Sequence, residues 1–161
     1  MDADTRPPVL AYVGLGANLG DALGTLRHSL GELSRLPDTV LIRTSSFYCT
    51  APIDAGGPDY INAVACLQTS LDPYELLRRL QQLEQAAGRE RPYRNAPRTL
   101  DLDLLIYGDL VQSDPALTLP HPRMPERAFV LVPLAEIAPD RVPPALLRKV
   151  ENQAISVLNK R

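Results

Sequence analysis

Arg98-Thr99-Leu100-Asp101-Leu102-Asp103-Leu104-Leu105-Ile106-Tyr107-Gly108 has the apolar content of a buried β-strand, and it carries two aspartates. Aspartate is disfavoured in strands and costly to bury as a charge. Strand side chains alternate between faces, so residues 101 and 103 point the same way, with backbone positions roughly 6 to 7 Å apart. Two like charges at that spacing repel by about 2 kcal/mol at an effective dielectric of 20. A divalent cation bridging both carboxylates would turn this conflict into a site, and hard oxygen donors favour Mg²⁺. The plainer alternative places both aspartates at the solvated end of a strand, where they cap a neighbouring loop.

Read as a strand, this stretch closes a longer pattern. Working back, Asp72, Pro73 and Glu75 form an N-cap, first-turn proline and capping box for a helix with Leu76, Leu80, Leu83 and Ala87 on one face, closed by Gly88. Tyr60 to Thr69 alternates as a strand, and Thr39 to Tyr48 is rich in β-branched and aromatic residues. These two are expected to pair antiparallel. Leu19, Leu23, Leu26, Leu30 and Leu33 mark a first helix ended by Pro37, preceded by a strand over Val9 to Gly14. The order β, α, β, β, α, β predicts an α+β ferredoxin-like sandwich, an antiparallel sheet with its helices on one face. Beyond about Pro125, short helices separated by prolines are expected, the last from about Pro144 to Leu158. The chain is read as a single domain, 1–161, with its core at about 9–140 and a C-terminal helical extension at about 141–161.

Composition narrows the function. At 161 residues the chain can bury a core without staples, and Cys49 and Cys66 lie in apolar stretches that suit reduced thiols. No secretory signal or bilayer-spanning run is visible, so no membrane partner and a cytoplasmic location are expected. A net charge of −2 and 5% aromatic residues argue against nucleic acid as a partner and against an RNA-binding ferredoxin-like module. Basic residues are nevertheless clustered: Arg89, Arg91, Arg94 and Arg98, then His121, Arg123 and Arg127. Guanidinium forks beside paired carboxylates suit a polyphosphate held with Mg²⁺. Tyr60 and Asn62, two apart on one strand face, offer an aromatic surface beside an amide for a flat heterocycle. The polar connections Thr50 to Asp59 and Arg89 to Pro97 are longer than the fold requires, as functional loops often are. Gly14-Leu15-Gly16-Ala17-Asn18-Leu19-Gly20 misses the dinucleotide-binding spacing and reads as a tight strand-to-helix turn, with Asn18 or Asp21 capping the helix.

Several blocks together resemble the 6-hydroxymethyl-7,8-dihydropterin pyrophosphokinase family of folate biosynthesis. They are Gly14 to Gly20, Ser46-Phe47-Tyr48, Pro58-Asp59-Tyr60-Ile61-Asn62-Ala63, Arg94-Asn95-Ala96-Pro97-Arg98-Thr99-Leu100-Asp101-Leu102-Asp103-Leu104-Leu105, and Leu119-Pro120-His121-Pro122-Arg123-Met124. The likeness runs from about Ala11 to Asp140 and implies the ferredoxin-like fold. It implies an ATP-dependent diphosphotransferase: the pterin hydroxyl attacks the β-phosphorus of ATP and AMP leaves, with two Mg²⁺ ions on Asp101 and Asp103 and no dedicated protein base. Arg89 and Arg98 would join that pair as catalytic residues. Glu84, Arg89, Arg98, Thr118, His121 and Arg127 match the ATP side, and Thr50, Ala51, Ile53, Tyr60, Asn62, Asp101 and Phe129 the pterin side. Asn95 stands where some members have tryptophan, which leaves Tyr93 as an aromatic alternative for the lid. Pro122 and Ala116 replace a tyrosine and an arginine used near ATP by some members. A monomer with ATP and the hydroxymethyl-dihydropterin as its partners is implied. Another Mg²⁺-dependent nucleotidyltransferase, which would release pyrophosphate in place of AMP, or a phosphotransferase remains the alternative enzyme.

Overall fold

The computed structural model describes residues 6–51, 58–88 and 100–158. β1 (Val9–Ala17) is followed by α1 (Ala22–Ser34), β2 (Thr39–Thr44), β3 (Tyr48–Thr50), β4 (Tyr60–Thr69), α2 (Pro73–Ala87) and β5 (Asp101–Tyr107). A short hairpin, β6 (Gln112–Ser113) and β7 (Thr118–Leu119), leads to α3 (Ala128–Ile137), α4 (Pro144–Lys149) and β8 (Ser156–Val157). The main sheet runs β5-β1-β4-β3-β8, with β2 also paired to β4. With β2 and β3 counted as one interrupted strand, this is the antiparallel ferredoxin-like order expected from the sequence.

The helices start where their caps dictate. The Asp21 carboxylate accepts the Gly24 N–H at 3.0 Å, and Asp72 accepts the N–H groups of Tyr74 and Glu75 at 2.9 and 3.0 Å. Glu75 does not complete the expected capping box, because its carboxylate turns outward to Arg78 and Arg79. The turn into α1 is made by Gly20, whose φ of +58° lies in the left-handed region. Gly14 and Gly16, expected in that turn, lie inside β1.

One face of the sheet packs Ala11, Val13, Leu15, Ala63, Ala65, Leu67, Leu102 and Leu104 against Leu26, Leu33, Leu76 and Leu80 of α1 and α2. The other face buries Tyr12, Val64, Cys66, Leu105 and Ile106 under α3, through Ala128, Val130, Leu131 and Leu134. Helices therefore cover both faces, and β4 is buried on both sides through most of its length. The β1–β5 register skips Leu105, a bulge that brings Leu105 and Ile106 together under α3.

Two expectations change. The strand expected over Thr39 to Tyr48 is broken at Ser45–Phe47. There Ser45 Oγ accepts the Val64 N–H at 2.9 Å, and the Glu136 carboxylate of α3 accepts the Ser46 N–H and hydroxyl and, at 2.7 Å, the Tyr48 hydroxyl. These side-chain bonds satisfy the backbone where the ladder stops. The terminal helix expected to reach Leu158 ends at Lys149, and the chain returns as β8 along the outer edge of β3.

Candidate active site

Every residue at the front of the second face is positioned by strand register. In one row across the sheet, Asp101 pairs with Gly16, Gly16 with Asn62 and Asn62 with Tyr48. In the next, Asp103 pairs with Gly14 and Gly14 with Val64. The two aspartates thus share a face, half-buried, while Leu102 and Leu104 point into the opposite core. Between the carboxylates and Asn62 lies only glycine. Strands two apart are separated by roughly 10 Å, so the β1 backbone at Gly14 and Gly16 forms a floor between a carboxylate wall and an amide wall, with Gly16 buried and Gly14 flanked by the Leu105 side chain, 3.5 Å from where a Cβ would lie.

The amide wall is rigid. Asn62, 4% exposed, donates from Nδ2 to Thr50 Oγ1 at 2.8 Å, and Thr50 is itself 8% exposed. A methyl group on Gly16 would lie 3.0 Å from Asn62 Oδ1 and 4.0 Å from the Tyr60 ring. The absence of a side chain at Gly16 is therefore what lets the amide and the aromatic ring approach the floor.

The carboxylate wall belongs to an edge strand whose outer backbone groups are occupied. Glu84 Oε2 accepts the Leu102 N–H at 2.7 Å, between the two aspartates in sequence. The His121 N–H donates to the Leu105 carbonyl at 2.9 Å, which lays the segment after β7 along the same edge. His121 lies within electrostatic reach of Asp103, Arg123 and Arg127. Burial pushes its pKa below the ordinary value, and the two guanidinium groups add to that against the pull of Asp103. Nδ1 accepts the Arg123 N–H at 3.2 Å, so the proton of the neutral ring sits on Nε2, as a donor for an anionic oxygen. Arg127, at the start of α3, lies over the Phe129 ring at 5.3 Å from its centroid.

Carboxylates and glycine backbone at one end of a sheet, with an imidazole in electrostatic reach of Asp103 and two arginines, make this end of the second face the candidate site. Residues 12–139 match the family model described as 7,8-dihydro-6-hydroxymethylpterin-pyrophosphokinase (HPPK). The chain belongs to this family. The pyrophosphokinase of Synechocystis sp. is 48% identical over 134 residues, covering 83% of this chain and 69% of its own. That of Haemophilus influenzae is 46% identical over 137 residues, covering 84% and 86%. In three dimensions the chain is similar to a Plasmodium falciparum HPPK-DHPS crystal structure, with a TM-score of 0.74 at 14% identity, over 99% of this chain but only 52% of that longer one. That likeness bears on the fold.

The residues expected in the pyrophosphokinase site fall into distinct groups. Asp101, Asp103, Tyr60, Asn62 and Thr50 gather around the glycine floor, and His121 lies within electrostatic reach of both Asp103 and Arg127. Ala51 follows β3 and is exposed. Thr118 lies in β7, its hydroxyl directed to the Asp114 carbonyl at 3.4 Å. Glu84, expected on the ATP side, supports the backbone of β5. Arg89, Arg98 and Ile53, with Tyr93 and Asn95, lie outside the described residues. Sequence reasoning missed Gly14 and Gly16 as site residues, and Glu136, whose carboxylate holds α3 to β3. A glycine two positions from another glycine inside a strand was the available signal for the first pair.

Proposed function

We propose that ATP and the pterin meet on the floor formed by Gly14 and Gly16, with the phosphates on the β5 side and the heterocycle on the β4 side. The chain is a pyrophosphokinase of folate synthesis, transferring pyrophosphate from ATP to the hydroxymethyl group of 6-hydroxymethyl-7,8-dihydropterin. The observation that carries the siting is the row Asp101–Gly16–Asn62, which sets a carboxylate and a heterocycle-reading amide on either side of bare backbone.

Asp101 and Asp103 fit Mg²⁺. Their donors are hard oxygens on one open face, and Mg²⁺ typically takes one or two carboxylates and completes its shell with water and substrate phosphates. No cluster of three acidic, histidine or cysteine ligands occurs among the described residues, and this mode of binding requires none. Bound there, Mg²⁺ would neutralise phosphate charge as it shifts toward the leaving AMP.

The protein's own groups supply position. Asn62, locked by Thr50, presents its amide to the edge of the pterin, and Tyr60 with Phe129 offers aromatic surface. Thr50, Ala51 and Ile53 border the same ring, with Asp101 at the hydroxymethyl end. His121 Nε2–H and Arg127 face the phosphates, joined by Arg89 and Arg98, with Thr118 on the approach to His121. Glu84 acts on the ATP side indirectly, through the backbone of β5. His121 serves as a hydrogen-bond donor from Nε2, since Nδ1 accepts the Arg123 N–H, and no base is required of it. Among the described residues no helix is long and apolar enough to cross a membrane. On this reading the chain is one cytoplasmic, monomeric domain.

Incubation with ATP, Mg²⁺ and the hydroxymethyl-dihydropterin, followed by chromatography, tests the siting. The wild type releases AMP, and Asp103→Ala and Asn62→Ala lose it for different reasons: the first at saturating pterin, the second through a raised pterin KM. Pyrophosphate in place of AMP would point to nucleotidyl transfer. Normal pterin affinity in Asn62→Ala would break the assignment of the β4 side.

A further inference from the structure

After α4 the chain doubles back toward the start of α3. The first N–H groups of a helix have no partner within it, and Arg127, the residue preceding α3, makes no side-chain cap. The missing acceptor comes from Gln153, whose Oε1 takes the Ala128 N–H at 2.9 Å, while its Nε2 donates to the Glu126 carbonyl at 2.9 Å. A cap alone would need only the acceptor. One amide bonded to the peptide groups before and after Arg127 holds that residue from both sides, at φ −126° and ψ 112°. From that backbone the Arg127 guanidinium lies over the Phe129 ring, 5.3 Å from its centroid, and within electrostatic reach of His121.

We propose that Gln153 is a positioning residue for pyrophosphoryl transfer, holding the backbone at Arg127 so that its guanidinium is presented to the ATP phosphates. This rests on the assignment of Arg127 to ATP made above. Gln153 lies on the surface, away from the apolar core, so its replacement leaves the fold intact. The same return segment continues as β8, whose pairing with β3 and the Leu158 N–H bond to the Phe47 carbonyl at 2.7 Å keep it in place without Gln153.

The test compares Gln153→Met, Arg127→Ala and the double variant in the full chain, reading kcat, both KM values and the thermal transition. Gln153→Met is expected to raise the KM for ATP by about 5- to 10-fold, the scale of losing one or two hydrogen bonds, with the pterin KM nearly unchanged and the thermal transition lowered by only about 2 to 4 °C, the effect of a lost helix cap. Added to Arg127→Ala, it should produce no further rise, because the group it positions is gone. A wild-type ATP KM in Gln153→Met, or a full additional rise in the double variant, would overturn the proposal while leaving Arg127 in place. An unchanged ATP KM in Arg127→Ala would overturn the assignment of Arg127 and the proposal with it.

Discussion

The two faces of the sheet are built from the same strands and answer to different demands. On the face under α1 and α2, every second residue of β1, β4 and β5 is apolar and buried along most of the strand. On the other, apolar residues continue only where α3 lies; toward the start of β5 they give way to Asp101, Asp103, Gly14, Gly16 and Asn62. The first face holds the fold together and the second divides its length between packing and chemistry. Because period-two alternation separates them, a change on one face should leave the other's property almost untouched.

The largest effect tests the chemical half. Asp101→Ala and Asp103→Ala should each reduce turnover by about 10³-fold or more, as expected when several kcal/mol of charge neutralisation are lost. Thermal unfolding of Asp103→Ala should stay near the wild-type value or rise, since a like-charge pair is relieved. A variant that keeps near-normal AMP formation would refute the role of the pair.

One residue along, on the opposite face, Leu104→Ala should do the reverse. It empties a fully packed site and should cost about 2 to 5 kcal/mol in urea unfolding, with kcat per folded molecule little changed. Equal damage to kcat would mean that the faces are coupled.

Gly16→Ala tests the floor. Its methyl group would sit 3.0 Å from Asn62 Oδ1, and displacing that amide should raise the pterin KM by about 10-fold, the lower end of overpacking costs. An unaltered KM in pterin titrations would show that Asn62 moves aside freely.

The smallest effect is one of pH. Since burial first, then Arg127 and Arg123, hold the pKa of His121 below its ordinary value of 6.5, the unfolded chain takes up this proton at a higher pH than the folded one. Its contribution to stability is therefore present above about pH 6.5 and is lost as pH falls toward the lowered folded value. His121→Gln should flatten this part of the Tm profile between pH 7.5 and 5.5. A profile parallel to the wild type would assign the dependence to other groups.

Much of the fold was readable because its signals are local. Asp72 followed by Pro73, the leucine spacing of α1 and the alternation of β4 each fit within a few turns or residues of chain. The aspartate pair was readable for the opposite reason, as a local contradiction of strand chemistry. What escaped depends on contacts between distant segments. Gly14 and Gly16 could become a floor only once β1 was known to lie between β4 and β5, and a glycine-rich stretch before a helix invites a turn reading by itself. The break at Ser45–Phe47 is stabilised by Glu136, some 90 residues away, and β8 exists only because β3 leaves it an edge. The strand at Ser156, within Ala154-Ile155-Ser156-Val157-Leu158, is only two residues long and too short to show alternation, so the helical pattern extends over it in the sequence reading.

The glycine floor also bears on inhibition. A flat compound lying against Gly16 would contact main chain, a surface that mutation can alter only by adding atoms. At Gly16 the first atom added presses on Asn62, the amide assigned to the natural substrate. Escape from such a compound by substitution at that position would therefore weaken pterin binding as well, which makes the floor a more durable target than the side chains around it.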